Sequence, residues 1–282
     1  MKEGLLRKPD WLKLKITGDK NTAYVESLVS NLNLNTVCLE ANCPNRMECY
    51  ARRTATFMIL GRNCTRNCTF CNVTREMPDP VDANEPKNVS EAVRRLKLKH
   101  AVITSVTRDD LPDEGATQFR DVLREVRKNN PEVTVELLIP DMSGREELLD
   151  IIYDERPDVL NHNVETVPAL YPQVRPAANF ERSLKVLDYA KKKGLPTKSG
   201  IMVGLGETQE QVIDVLRELR KVDCDMVTIG QYLQPTLKHI SVKEYVHPDQ
   251  FKYYEKISFE LGFKKVSSGP LVRSSYHAEA LE

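Results

Sequence analysis

The sequence predicts an α/β protein: a partial (β/α)6 barrel of the TIM type with N- and C-terminal extensions. Two observations carry this. Six apolar runs of strand length alternate with six amphipathic runs of helix length between residues 51 and 261. Such alternation implies parallel strands joined by right-handed crossovers. Six units also fall short of the eight that close a TIM barrel, so the barrel is expected to stay open.

The elements follow in order. Residues 56–60, Thr-Phe-Met-Ile-Leu, read as the first strand and lead directly into Gly61. Residues 90–97 read as a helix with Ser90 as its N-cap. Residues 101–106 form the next strand, followed by a polar turn holding Asp109 and Asp110. In residues 117–128, Phe119, Val122, Leu123 and Val126 fall on one helical face. The pattern then repeats as strand 133–139 and helix 145–153, then strand 159–164 and helix 180–193, which Gly194 closes. Strand 198–203 precedes helix Gln209–Lys221, and strand 226–233 precedes helix 248–261. Residues 1–50 and 262–282 lie outside the repeat and read as extensions wrapped on residues 51–261.

Composition narrows the function. Lys plus Arg equals Asp plus Glu at 41 each, so no net field draws the chain to nucleic acid or an anionic membrane. Partner recognition must rest on local patches. Residues 1–10 contain no apolar segment of a secretory signal, and no stretch approaches the ~20 apolar residues that span a bilayer. A reducing, cytoplasmic setting is therefore expected, where disulfides are rare. Seven cysteines there need another explanation.

Six of them lie between Cys38 and Cys71. Cys64-Thr-Arg-Asn-Cys68-Thr-Phe-Cys71 is a C-x3-C-x2-C loop placed straight after the first strand. Three thiolates can hold three irons of a 4Fe–4S cluster and leave the fourth open to a small molecule. Zinc is the poorer reading, because structural zinc takes four ligands and no His follows the triplet closely. With Phe70 at its aromatic position, the motif resembles that of the radical S-adenosylmethionine (SAM) superfamily. That resemblance implies that the open iron chelates the methionine end of SAM, whose cleavage yields a 5′-deoxyadenosyl radical.

Upstream, Cys38, Cys43 and Cys49 form a C-x4-C-x5-C triplet. Together with Glu40-Ala-Asn-Cys-Pro-Asn45 and Thr56-Phe-Met-Ile-Leu-Gly61, the two triplets resemble the lipoyl synthase family from about Lys8 onward. The resemblance implies two 4Fe–4S clusters. It assigns the fourth ligand of the second cluster to Ser275, within Arg273-Ser-Ser-Tyr276. Spacing alone does not choose Ser275 over Ser274. Alkoxide is a harder ligand than thiolate and pairs poorly with a cluster iron, so it can depart when sulfide is given up. Cys224, alone between a helix and a strand, reads as a small buried apolar residue.

Strand C-termini are where such barrels keep their chemistry. After the second strand, Asp110 is expected near the methionine amino group of SAM, although a capped polar turn would look the same. After the fourth strand, the resemblance to the related biotin synthases implies that Asn163 and Glu165 grip the ribose hydroxyls. A carboxylate can accept from both. Arg175 and Arg182 are candidates for the SAM carboxylate or the substrate side, and Gly204-Leu-Gly206 for a close approach to adenine. His162 points away from Asn163 in extended backbone, and packing is its expected role.

The resemblance implies sulfur insertion at C6 and C8 of an octanoyl group in amide linkage to a carrier lysine, with the second cluster consumed as sulfur donor. Expected partners are octanoylated lipoyl domains of 2-oxoacid dehydrogenase acyltransferase subunits or the glycine cleavage H protein. An electron donor such as flavodoxin or ferredoxin and an iron–sulfur repair protein are also expected. A radical-SAM methylthiotransferase would need a separate N-terminal domain with wider cysteine spacing and a basic RNA-binding module, and neither is visible. An electron-transfer or zinc module would not need a six-unit barrel.

Overall fold

The computed structural model describes residues 6–13 and 20–278. Helix α1 (Lys20–Asn31) precedes a two-residue strand β1 (Asn35–Thr36) and the short helices α2 (Val37–Glu40) and α3 (Arg46–Ala51). The repeat then begins with β2 (Thr56–Ile59) and α4 (Glu85–Leu96), and continues through β3 (His100–Ser105) with α5 (Ala116–Asn129). Next come β4 (Thr134–Leu138) with α6 (Glu146–Tyr153), and β5 (Val159–Asn161) with α7 (Tyr171–Val174) and α8 (Phe180–Lys192). Strand β6 (Thr197–Val203) with α9 (Gln209–Lys221), then β7 (Met226–Gln231) with α10 (Pro248–Glu260), complete six units. A further strand, β8 (Lys265–Gly269), follows them.

All eight strands form one sheet in sequence order, with β1 antiparallel to β2 and every later pair parallel. Among the described residues no ladder joins β8 back to the first strands, so the α/β barrel is partial, as the sequence predicts. The C-terminal stretch expected only as a wrap thus also supplies a seventh parallel strand. Its sequence, Lys-Val-Ser-Ser-Gly, carries a single buried apolar residue, Val266, and so hides its identity.

Two helix-level readings differ in detail. The helix expected from Ser90 starts at Glu85, with Pro86 in its first turn where a missing N–H is harmless. Ser90 is buried inside α4 and donates to the Glu125 carbonyl at 3.0 Å, locking α4 to α5. The apolar face of α5 is the predicted one, with Phe119, Val122, Leu123 and Val126 all fully buried. Helix α9 is opened by a capping box, Thr208 with Gln211.

Across β3 to β6 the sheet buries a polar layer. Lys198 on β6 donates to both carboxylate oxygens of Glu136 on β4, at 3.0 and 2.9 Å. Asn161 donates to the same carboxylate at 2.7 Å, and His100 lies 3.3 Å from it. Burial alone would raise the Glu136 pKa, but Lys198 beside it brings the carboxyl below its ordinary value. With both Glu136 oxygens engaged, this layer ties together the strands whose ends carry the site.

Candidate active site at the two cysteine loops

Just past β2, the backbone of Leu60 turns left-handed (φ 68°) and its N–H is held by the Glu85 carboxylate at 3.0 Å. The chain then enters the loop of Cys64, Cys68 and Cys71. Backbone bonds fix the loop on several sides: Cys64 N–H to the Thr74 carbonyl at 2.8 Å, Thr65 N–H to Thr107, and Thr69 N–H to Val174. The Cys64 sulfur accepts from the N–H groups of Thr107 and Arg66, at 3.4 and 3.5 Å. Arg66 is pinned between Asp109 and the fully buried Asp141, each at 2.8 Å. The Arg66 guanidinium outweighs the burial of Asp141 and holds its carboxyl down at about 2.

The upstream triplet rides on the short helices. Thr36 opens α2 by accepting from the Leu39 N–H, which places Cys38 on α2; Cys43 follows in the loop and Cys49 sits on α3. These three side chains line one recess with Thr56, Arg273, Ser275 and Tyr276. The Thr56 hydroxyl donates to Ser275 Oγ at 2.8 Å. Asn45 donates to the Leu271 carbonyl at 2.7 Å, and Tyr276 Oη donates to Glu48 at 3.0 Å. Asn72, one residue past Cys71, donates to the Glu40 carbonyl at 2.9 Å and ties the two cysteine loops together.

The donor chemistry fits two iron–sulfur clusters. All six thiols are free, in two groups of three. Among the described residues no three Cys, His, Asp or Glu side chains converge to hold a single metal ion. Cluster thiolates bind separate irons and need not converge on one point. Burial pushes four of these thiols up, Cys38 to about 11, Cys49 and Cys71 to about 12, and Cys68 in the same direction. Loading must therefore release protons.

At the strand ends, the structure brings together Asn163, Glu165 and Arg175. Asn163 Nδ2 donates to Glu165 Oε1 at 3.0 Å. Arg175 donates to the carbonyls of Asn163 and Val164, at 3.1 and 3.2 Å, and stacks on the Tyr171 ring. Its positive charge also acts on the Cys68 thiol, opposing the rise that burial causes. Glu165 sits at φ 65° between the Gly200 carbonyl and the Met202 N–H, and burial raises its pKa. Asn163 Oδ1 and Arg175 Nε are buried with no partner. Orphaned polar atoms at the mouth of a barrel fit a polar ligand such as SAM.

Other expected contacts are otherwise engaged. Asp110 is exposed and held by Arg108 in a two-point ion pair at 2.9 Å. Arg182 pairs with Asp141 at 3.3 Å. The amides of Gly204 and Leu205 are taken by Glu207, and the close approach at Gly204 comes from Gln231 and the Glu244 backbone. His162 is buried, bonded through Nδ1 to the Ile139 carbonyl, and burial lowers its pKa to about 4. Cys224 is buried with its thiol pushed to about 12, the structural role expected of it.

Sequence reasoning missed Thr56 and Gly230, and the bond that joins Ser274 to Asn163. Ser274 Oγ accepts from Asn163 at 2.6 Å, so the two adjacent serines face different groups. Gly230 on β7 lets the segment that carries them lie across the barrel, since a Cβ there would meet the Val272 carbonyl oxygen at 2.2 Å. Only the Arg-Ser-Ser-Tyr string itself signalled this segment.

The Radical SAM superfamily model matches residues 58–219. A lipoyl synthase of Caldanaerobacter subterraneus subsp. tengcongensis is 58% identical over 276 residues, covering 97% of this chain and 96% of that protein. One of Chlorobaculum parvum is 53% identical, covering 100% and 97%. Among solved structures, a methylornithine synthase superposes with a TM-score of 0.59 at 16% identity, over 94% of this chain and 86% of that one. Streptococcus suis SuiB bound to S-adenosylmethionine gives 0.60 at 12%, over 79% and 53%. The structural likenesses carry the fold, and the full-length identities carry more: the chain belongs to the lipoyl synthase family of the radical SAM superfamily.

Proposed function

We propose that the chain inserts two sulfur atoms, at C6 and C8, into an octanoyl group carried in amide linkage on a lysine of a lipoyl carrier domain. The observation that supports this most is the recess where Cys38, Cys43, Cys49 and Ser275 meet, tied by Asn72 to the loop of Cys64, Cys68 and Cys71. Cys64, Cys68 and Cys71 would hold a 4Fe–4S cluster, which when bound would supply the electron for making radicals from SAM. The sulfur substrate is a second 4Fe–4S cluster held by Cys38, Cys43, Cys49 and Ser275.

Each nearby residue has a task. The unpartnered Asn163 Oδ1 and the Glu165 carboxylate accept from the ribose hydroxyls of SAM. Arg175 holds that pair from behind and faces the SAM carboxylate. Ser275 supplies an oxygen among sulfurs, the ligand that leaves most readily. Residues 1–50 and 262–282 act as extensions that complete the second site on the barrel of 51–261. The octanoylated partner is a 2-oxoacid dehydrogenase acyltransferase subunit or the glycine cleavage H protein. Electrons come from a flavodoxin or ferredoxin, and a repair protein restores the spent site, in a reducing cytoplasm.

Two triple variants test the division of labour under anaerobic conditions with reductant, SAM and an octanoylated carrier peptide. With Cys64, Cys68 and Cys71 replaced by Ala, formation of 5′-deoxyadenosine should stop. With Cys38, Cys43 and Cys49 replaced by Ala, it should persist while lipoyl product, read by mass spectrometry, disappears. Dithiolated product from the second variant would overturn the donor role.

A further inference from the structure

Ser274 and Ser275 are the two middle residues of a turn that the Tyr276 N–H closes onto the Arg273 carbonyl at 3.0 Å. From that one turn the side chains diverge. Ser275 joins the recess of Cys38, Cys43 and Cys49, with Thr56 at 2.8 Å. Ser274 accepts from Asn163 Nδ2 at 2.6 Å, and the same nitrogen donates to Glu165. Both hydrogens of the carboxamide are thus spent, on the turn and on Glu165, while its oxygen is buried without a partner. Arg273, at the head of the turn, lines the same recess as Cys43. The turn is gripped on its far side by Tyr276 and His277 on Glu48, at 3.0 and 3.2 Å.

We infer that Ser274 is a positioning residue that couples the SAM-side Asn163 to the seating of Ser275 in the second cysteine recess. The inference rests on the proposed roles of Asn163 and Ser275. A ligand hydroxyl that donates to Asn163 Oδ1 fixes the carboxamide in its present orientation. The Nδ2 hydrogen then stays aimed at Ser274, and the turn that bears Ser275 is held down. Coupling of this kind is reciprocal: a seated turn also presents Asn163 ready for the ligand. The sign is positive, because the ligand uses the oxygen that the turn leaves free.

The test uses the cluster-loaded enzyme under anaerobic conditions. SAM affinity is measured by equilibrium dialysis, and hydrogen exchange is followed on a peptide spanning residues 270–278. In the native enzyme, SAM should slow exchange in that peptide. Ser274→Ala should weaken SAM binding by about tenfold, within the usual range of site-to-site coupling, and abolish the slowing while iron per chain stays native. Ser274→Thr, which keeps the hydroxyl, should restore both. SAM that binds the native enzyme without slowing exchange in 270–278 overturns the coupling, as does a Ser274→Ala enzyme that matches the native one. If Ser274→Ala loses iron, the native exchange measurement decides alone: slowing supports the coupling and its absence overturns it. Failure of the loaded native enzyme to bind SAM overturns the underlying function and the coupling with it.

Discussion

Replacing Gly230 by Ala separates the making of radicals from the use of sulfur. A Cβ at this position of β7 would stand 2.2 Å from the Val272 oxygen and 3.1 Å from its carbonyl carbon, and real Cβ contacts below 3.0 Å are essentially never seen. Strand β7 is held on both sides by β6 and β8, so the segment that carries Ser275 must yield. Restoring ordinary contact requires a retreat of about 1 Å, a misplacement that costs a positioned group on the order of a hundredfold in rate. Overpacking also costs about 1–3 kcal/mol of stability, so a thermal melt belongs beside the kinetics. The assay compares lipoyl product with 5′-deoxyadenosine in a single turnover. Lipoyl formation should fall by about a hundredfold while SAM cleavage persists. Native rates of lipoyl formation in folded, fully loaded Gly230→Ala enzyme would refute the idea that this segment positions Ser275.

Two further outcomes follow from the same geometry. Glu165→Ala should weaken SAM binding by about ten- to a hundredfold, the value of one charge-assisted hydrogen bond, at unchanged iron content. Unchanged affinity in dialysis would remove Glu165 from the SAM site. Lys198→Met should destabilise the fold by about 3–5 kcal/mol, because it leaves the Glu136 carboxylate buried without its cation. The melting temperature should fall by roughly 6–10 °C. In the native chain the lowered Glu136 pKa contributes stability that is present above the unfolded value and lost as pH falls through the folded one. In the variant, burial raises that pKa instead, so the deficit is largest at neutral pH and narrows on acidification. A deficit that does not change with pH would show that Glu136 is not the stranded group.

Legibility in the sequence tracked how local the cause was. Strand–helix alternation is local, and helix Gln209–Lys221 has the predicted bounds. The start of α4 was obscured because Ser90 resembles a cap, whereas its hydroxyl serves a neighbouring helix 35 residues away. Strand β8 was hidden by its polar, half-buried sequence. At the site, the six cysteines were legible because thiol spacing is itself the signal. Asp110 pairs with Arg108, and nothing local in the sequence distinguishes a ligand contact from that ion pair. The partnerships Thr56–Ser275 and Asn163–Ser274 span 219 and 111 residues. They depend on the packing of the C-terminal segment against Gly230, which no periodicity records.

That sequence separation has a consequence for biosynthesis. The recess joins Cys38, Cys43 and Cys49 to Ser275, and Asn45 holds Leu271 across 226 residues. During translation three thiols emerge early and wait, while their oxygen-bearing neighbour is made only after the entire barrel. Thr56, Gly230 and the edge strand β8 must all be in place before that neighbour can dock. An unfinished or misfolded chain therefore cannot complete this recess, and its closure becomes a readout of finished folding.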